Sequence, residues 1–235
     1  MNVRVGFKLY LITDRKLASR HGGLLPICAA ALRAGREVAG DGAIAIQLRE
    51  KDLPGRELYE LARTMRKLCT KFGAPLIVND RIDVALASGA DGVHLPADSF
   101  AIADARRLLG RSRLIGVSTH EIGEVRAAAR GVATGAGADF AVFGPVYAPL
   151  SKTGYGRPRG FAALRAACHA AAGMPVFALG GITAERARRL AAPRRRDARR
   201  AGGDVAGVAV IGAVFGADDP ARAVKSLLAA LSAQR

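Results

Sequence analysis

The sequence contains no tryptophan and only four tyrosines, and its aromatic fraction is 5%. A platform on which successive bases stack needs aromatic faces along a basic groove, so single-stranded nucleic acid is a poor match for this chain. Cysteine is scarce as well. Cys28, Cys69 and Cys168 are far apart, odd in number and show no C-x-x-C spacing, which argues against a disulfide framework or a cysteine zinc site and fits a reducing cytoplasm. Long apolar runs are missing: the longest, at 205–217, is too short and too rich in glycine to cross a bilayer. The opening MNVRVGFKLYLITD reaches Asp14 soon after its apolar residues and lacks a small-residue cleavage pattern, which argues against a signal peptide. No G-x-G-x-x-G follows the first β-like run, which counts against an open, doubly wound dinucleotide fold.

Acidic residues are also few, 20 against 36 lysines and arginines, for a net charge of +16. Such an excess first suggests a nucleic acid or an acidic membrane. Its distribution points elsewhere, because eight of the cations, all arginine, fall in RARRLAAPRRRDARR at 186–200. That segment reads as a solvated basic loop.

What the sequence does have is alternation. Short β-branched runs at 8–13, 43–48, 75–78, 92–95, 114–118, 140–143, 175–179 and 205–211 are separated by helical stretches such as 55–71, 81–87, 102–109, 121–130, 162–172, 184–190 and 220–232. Strands alternating with helices imply right-handed parallel crossovers, and eight such units in 235 residues predict a closed (β/α)8 TIM barrel of the α/β class. The expected organisation is a single domain over 1–235, with an Arg-rich loop insertion near 191–204 on the face away from the chemistry.

Barrel enzymes carry their chemistry where the strands end. There this sequence has Thr13-Asp14, Gln47-Leu48-Arg49-Glu50-Lys51, Asn79-Asp80, His94-Leu95-Pro96-Ala97-Asp98, Ser118-Thr119-His120, the long loop GPVYAPLSKTGYGRPRG, Gly180-Gly181-Ile182 and Ile211-Gly212-Ala213. In an extended chain Gln47, Arg49 and Lys51 share one face. An amide and two cations so placed suit a phosphate or diphosphate; the alternative is that Arg49 and Lys51 pair with Glu50, Asp52 or Asp80. Gly180-Gly181, followed by Thr183 as a helix N-cap, and Gly212 after the last strand offer backbone amides in the two loops where barrels often bind phosphate, although a Gly-Gly pair is also simply a tight turn. Asp80 and Asp98 suit a hard cation such as Mg2+, or else cap the helices that follow them. His120 is either an acid–base group or a hydrogen-bonded rim residue, and nothing singles out His94 or His169. Ser151-Lys152, in a glycine-rich loop, reads as a lid over a charged substrate or as a flexible solvent loop.

In this order and spacing, QLREKD, NDRIDVALASGADGVHL, IGVSTH, FGPVYAPLSK, ALGGI and VAVIGAVF resemble the thiamine phosphate synthase and TenI superfamily of barrels, from about residue 9 to the C-terminus. The resemblance implies a transferase of thiamine biosynthesis that joins a pyrimidine methyl diphosphate to a thiazole phosphate and releases diphosphate, with Mg2+. It implies a diphosphate and pyrimidine site at Gln47, Arg49, Lys51, Asn79, Ser118 and Lys152, with Arg49, Lys51 and Lys152 as the catalytic cations. It puts the metal on Asp80, with Asp98 the second candidate, one residue before the position of the family's second carboxylate, where a small loop shift lets it serve or metal binding is weakened; it puts the thiazole phosphate at Pro149, Ser151, Gly181, Ile211 and Gly212. Four positions depart from the pattern: Ser99 stands where a second metal carboxylate belongs, Pro149 replaces a threonine, Gly212 a serine, and Pro145 stands where the TenI branch has its histidine. HLPADSF and GYG are nearer the TenI branch, whose tautomerase isomerises a thiazole carboxylate phosphate, but a proline at 145 does no acid–base chemistry. The Gln-Arg-Lys set with Asn79, Asp80 and Lys152 is what a diphosphate requires, so the synthase is the expected activity, with the tautomerase or a non-catalytic binder of a phosphorylated ligand as alternatives. The expected partners are these small molecules, with neither membrane nor nucleic acid; whether the chain forms a homo-oligomer is left open.

Overall fold

The computed structural model describes residues 5–148, 156–191 and 204–232. Its strands are β1 (Leu9–Ile12), β2 (Ile44–Leu48), β3 (Leu76–Asn79), β4 (Gly92–Leu95), β5 (Leu114–Thr119), β6 (Phe140–Phe143), β7 (Val176–Leu179) and β8 (Gly207–Val210). All pair in parallel in sequence order, and β8 returns to β1 through the register Leu9↔Val208 to Leu11↔Val210, closing the barrel. The expected (β/α)8 architecture is therefore the one that forms.

Helices α1 (Arg15–Ala18) and α2 (Leu24–Ala39) fill the first crossover, followed by α3 (Gly55–Thr70), α4 (Ile82–Ser88), α5 (Ile102–Leu109), α6 (Ile122–Ala128), α7 (Gly160–Ala170), α8 (Ala184–Ala191), the short α9 (Gly212–Phe215) and α10 (Pro220–Ser232). Among the described residues no helix is long and apolar enough to cross a membrane.

Two details differ from expectation. Pro75 and Pro175 precede their strands rather than opening them: each lends a carbonyl to the ladder, to the Ile46 and Ala141 amides at 2.9 Å, but a proline has no N–H to return. The first crossover, where the eight-unit pattern calls for a helix but no stretch is named above, contains α2. Pro26 lies in its first turn, where no N–H is required, and Gly35 interrupts its interior because Ile44 packs there. A Cβ at 35 would come within 2.5 Å of the Ile44 side chain.

Alternation along the strands sorts the core into two layers. Leu9, Leu11, Ile44, Ile46, Leu76, Val78, Ile115 and Val208 point outward and are buried under the helices; for example, α3 covers them with Leu58, Ala62, Met65 and Cys69 at helical spacing. Tyr10, Ala45, Ile77, Leu114, Phe140, Phe177 and Ala209 point into the barrel. Phe7 joins them from below, stacked on Phe177 with centroids 4.9 Å apart and edge-on to Phe140 at 5.5 Å. Each buried ring of this plug contributes about 1.5–3 kcal/mol. Gly116 makes room for it, since a Cβ there would stand 2.2 Å from the Phe140 ring. The aromatic plug seals one end of the barrel. Toward the strand C-termini the inward positions turn polar, with Gln47, Asn79 and His94 all buried.

Candidate active site

Above the plug lies a cavity of about 350 Å³, walled by residues from the ends of all eight strands, a size that suits a small-molecule site. Gln47, Arg49, Lys51, Asn79, Asp98, Ser118, His120, Gly181, Ile211 and Gly212, which the sequence scatters over most of the chain, line this one space.

Beyond Leu48 the chain leaves the ladder, but the alternation persists. Arg49 and Lys51 face the cavity, whereas Glu50 and Asp52 engage the start of α1. Both Glu50 carboxylate oxygens accept from the Arg15 backbone N–H at 3.2 Å. Asp52 pairs with the Arg15 guanidinium and, at 2.9 Å, with Lys16. The hydrogen bonds from Arg15 first, then from Lys16, hold the Asp52 carboxyl well below the usual carboxylate range. Among the described residues neither Arg49 nor Lys51 makes an ion pair, so the structural network considered for them does not form. The turn is pinned by the Arg49 N–H, which donates to Thr13 Oγ1 at 2.9 Å.

The opposite wall carries the glycine loops. Gly180 and Gly181 sit at φ 102° and 60°, and a Cβ on Gly181 would stand 2.3 Å from the Ala148 carbonyl oxygen; only glycine fits both the angle and the space. Thr183 caps α8 as expected, its Oγ1 accepting from the Arg186 N–H at 3.2 Å. Arg186 lies over the Tyr147 ring, 4.7 Å from its centroid, and donates to the Gly181 carbonyl at 2.5 Å. Ile211, Gly212 and Ala213, entering α9, complete this wall.

The two candidate metal carboxylates differ in setting. Asp98 is exposed and lines the cavity. Asp80 follows β3 in the left-handed region at φ 65°, is not among the cavity-lining residues, and accepts a hydrogen bond from the Ser99 hydroxyl. Neither caps a helix: the N-cap residues of α4 and α5 are Arg81 and Ala101, and neither makes a side-chain cap. Ser99 thus takes the place beside Asp80. No group of three or more His, Cys, Asp or Glu positioned for a metal occurs among the described residues; the oxygen donors here are two carboxylates and a hydroxyl, the hard set that Mg2+ prefers.

His120 lines the cavity and is held by hydrogen bonds at its rim. Its Nδ1 donates to the Gly144 carbonyl at 2.6 Å and its backbone N–H to Glu124 at 2.5 Å. His94, by contrast, belongs to the site although nothing in the sequence singled it out. It points inward from β4, fully buried, with Nε2 2.9 Å from Ser118 Oγ and Nδ1 3.4 Å from the Tyr10 hydroxyl. Burial first, and the nearby Arg49 cation second, press its pKa down to about 3. The available signal was its parity: His94 stands two residues after the inward Gly92 and beside Asn79 in the register. Pro149, Ser151 and Lys152 lie outside the described residues, as do residues 192–203; of the arginine-rich segment expected as a loop, Arg186, Arg188 and Arg189 belong instead to α8.

A family model described as thiamine monophosphate synthase matches residues 9–214. A putative thiamine-phosphate synthase of Geobacter sulfurreducens is 48% identical over 228 residues, 97% of this chain and 96% of that protein. A thiamine-phosphate synthase of Methanoculleus marisnigri is 41% identical, over 95% and 94% of the two chains. The solved structure of a thiamine phosphate pyrophosphorylase from Pyrococcus furiosus superposes with a TM-score of 0.77 at 33% identity, covering 97% of this chain and 96% of that one. The chain belongs to the thiamine monophosphate synthase family.

Proposed function

We propose that this protein is a thiamine-phosphate synthase, a transferase that couples hydroxymethylpyrimidine diphosphate to hydroxyethylthiazole phosphate and releases diphosphate. The observation that carries this reading is a single cavity with two walls suited to anions: Arg49 and Lys51, free of ion pairs among the described residues, with Asn79 on one side, and the glycine loops on the other. Two separate phosphorylated substrates call for two such walls.

The chemistry follows from the charges. As the bond from the pyrimidine methylene to the diphosphate breaks, negative charge grows on the departing diphosphate and positive charge on a resonance-stabilised pyrimidine cation. The thiazole nitrogen then attacks the methylene carbon. Arg49 and Lys51 meet the growing negative charge in an environment already arranged for it, with Lys152 proposed as a third cation. Because Arg15 and Lys16 occupy Glu50 and Asp52, the neighbouring acids do not quench the pair. A neutral His94 below the ring adds no second positive charge beside the pyrimidine cation. No protein nucleophile is needed, and all three cysteines are buried with their thiols pushed to about 12 or higher, chiefly by burial. Opposite, the amides of the Gly181 and Gly212 loops hold the thiazole phosphate. Asp80 and Asp98, with Ser99 beside Asp80, would hold Mg2+, which when bound neutralises charge on the leaving group.

The test is a coupling assay with both substrates and Mg2+, following diphosphate release. The wild type should turn over, and Arg49→Ala should lose roughly 10²–10³ in kcat, the usual cost of removing one preorganised charge-stabilising donor. No release at saturating substrates would reject the synthase. Isomerisation of a thiazole carboxylate phosphate without metal would favour the tautomerase, and affinity without turnover a binding protein.

A further inference from the structure

Beneath the cavity runs a buried polar chain that a grip on anions does not explain. Gln47 Nε2 donates to the Tyr10 hydroxyl at 3.1 Å, the hydroxyl lies 3.4 Å from His94 Nδ1, and His94 Nε2 lies 2.9 Å from Ser118 Oγ. Tyr10, Gln47 and His94 are at most 3% exposed, among the phenylalanines of the plug. An all-apolar floor would satisfy the core at less desolvation cost. The chain ends at Gln47 and Ser118, both of which line the cavity.

Its hydrogens have a direction. The Tyr10 hydroxyl carries one proton. Because it accepts from the Gln47 amide, that proton is free to be donated to His94 Nδ1. A neutral imidazole that accepts at Nδ1 carries its hydrogen on Nε2, and so donates to Ser118 Oγ. The serine proton is then left for the cavity, as is the carboxamide oxygen of Gln47 at the other end. A reversed chain, with the carboxamide turned over, would present the opposite pair.

We propose that Tyr10 and His94 are positioning residues that fix the hydrogen-bond polarity of the cavity floor, with Gln47 as acceptor and Ser118 as donor, so that it selects a ring bearing an amino group and an unprotonated ring nitrogen over its oxo counterpart. The proposal rests on the synthase reading for its substrate, an amino-substituted pyrimidine. An oxo ring with a protonated ring nitrogen offers the reversed pattern: its carbonyl faces the Gln47 carboxamide oxygen, and its N–H obliges the Ser118 hydroxyl to turn its proton away and accept on its second lone pair, so the like-facing pair at Gln47 costs more than losing a contact.

Two measurements test this. The first uses the free wild-type protein: nitrogen-detected NMR of the imidazoles, with His94→Gln to assign the signal among the four histidines, should show His94 protonated on Nε2 and bare on Nδ1. A hydrogen on Nδ1 overturns the proposed polarity whether or not the protein is a synthase. The second compares the amino pyrimidine diphosphate with its oxo analogue by calorimetry and turnover. Tyr10→Phe keeps the ring and removes the hydroxyl. Its preference for the amino compound should fall by about tenfold or more, through the affinity for the pyrimidine, with the Michaelis constant for the thiazole phosphate unchanged. A folded Tyr10→Phe protein with undiminished preference overturns the proposal, while a wild type that binds the amino compound selectively but makes no product rejects the synthase and leaves the polarity standing.

Discussion

His94 stays neutral because its ring is buried and Arg49 stands near it, and the neutrality has a sign that stability measurements read. In the unfolded chain the ring takes a proton near pH 6.5; in the folded protein it does so only near pH 3. Between those values the unfolded state binds more protons, so the stability that His94 contributes is complete above pH 6.5 and is lost as the pH falls toward 3. From pH 7 to pH 4 this amounts to about 3 kcal/mol. Urea unfolding at pH 7 and pH 4 should therefore show a larger acid loss for the wild type than for His94→Gln, the difference approaching that figure. Equal losses in both proteins would mean that the ring takes up its proton over the same pH range in the folded and unfolded states. The same residue marks the limit of what the sequence discloses. Gln47, Arg49 and Lys51 were legible because three polar side chains at alternate positions stand out against an apolar run. One histidine on the inner face of β4 looks like any strand residue until Ser118 closes on it from the adjacent β5 and Tyr10 from β1 across the barrel.

Among the elements, the loop after β7 holds the most constrained backbone of the site. Gly181 combines φ of 60° with the Ala148 carbonyl where a Cβ would go. Gly181→Ala should cost about 1–2 kcal/mol of stability through the unfavourable backbone angle and the displaced neighbour. Because the displacement moves the amides proposed to hold the thiazole phosphate, the Michaelis constant for that substrate should rise while the one for the pyrimidine diphosphate holds. Thermal unfolding and the two separate titrations check this, and an equal rise in both constants would show that the two walls are not independent. Strands and most helices were legible because each strand of a covered parallel barrel is apolar on both faces and stands out against its polar flanks. The helix α2 was not: Pro26 and Gly35 break its pattern, and both find their reason only in the packed structure. Asp80 and Asp98 were legible as acids after strands but not in their settings, since the bond from Ser99 to Asp80 joins residues from two different loops.

At the scale of the molecule, a net charge of +16 attracts any phosphorylated ligand, so affinity alone does not separate the overall field from the local pair at Arg49 and Lys51. Salt does. Raising the ionic strength from about 0.01 to 0.15 M shortens the screening length from roughly 30 to 8 Å, which weakens the contribution of distant charges and leaves close, half-enclosed contacts less affected. Calorimetric titration with inorganic diphosphate over this range gives a salt slope for the wild type. Replacing both Arg49 and Lys51 with alanine removes two positive charges from the net +16. If the overall field governs binding, the slope should fall by about one-eighth and the affinity at 0.15 M hardly at all. If the pair forms the diphosphate wall, affinity at 0.15 M should fall by at least about a hundredfold, each cation contributing on the order of 1.5 kcal/mol or more as a charged hydrogen-bond donor. The second outcome is expected, because Glu50 and Asp52 are engaged by Arg15 and Lys16 and both cations face the cavity. A small loss at high salt would assign the attraction to the molecule as a whole and would remove the wall on which the proposed grip depends.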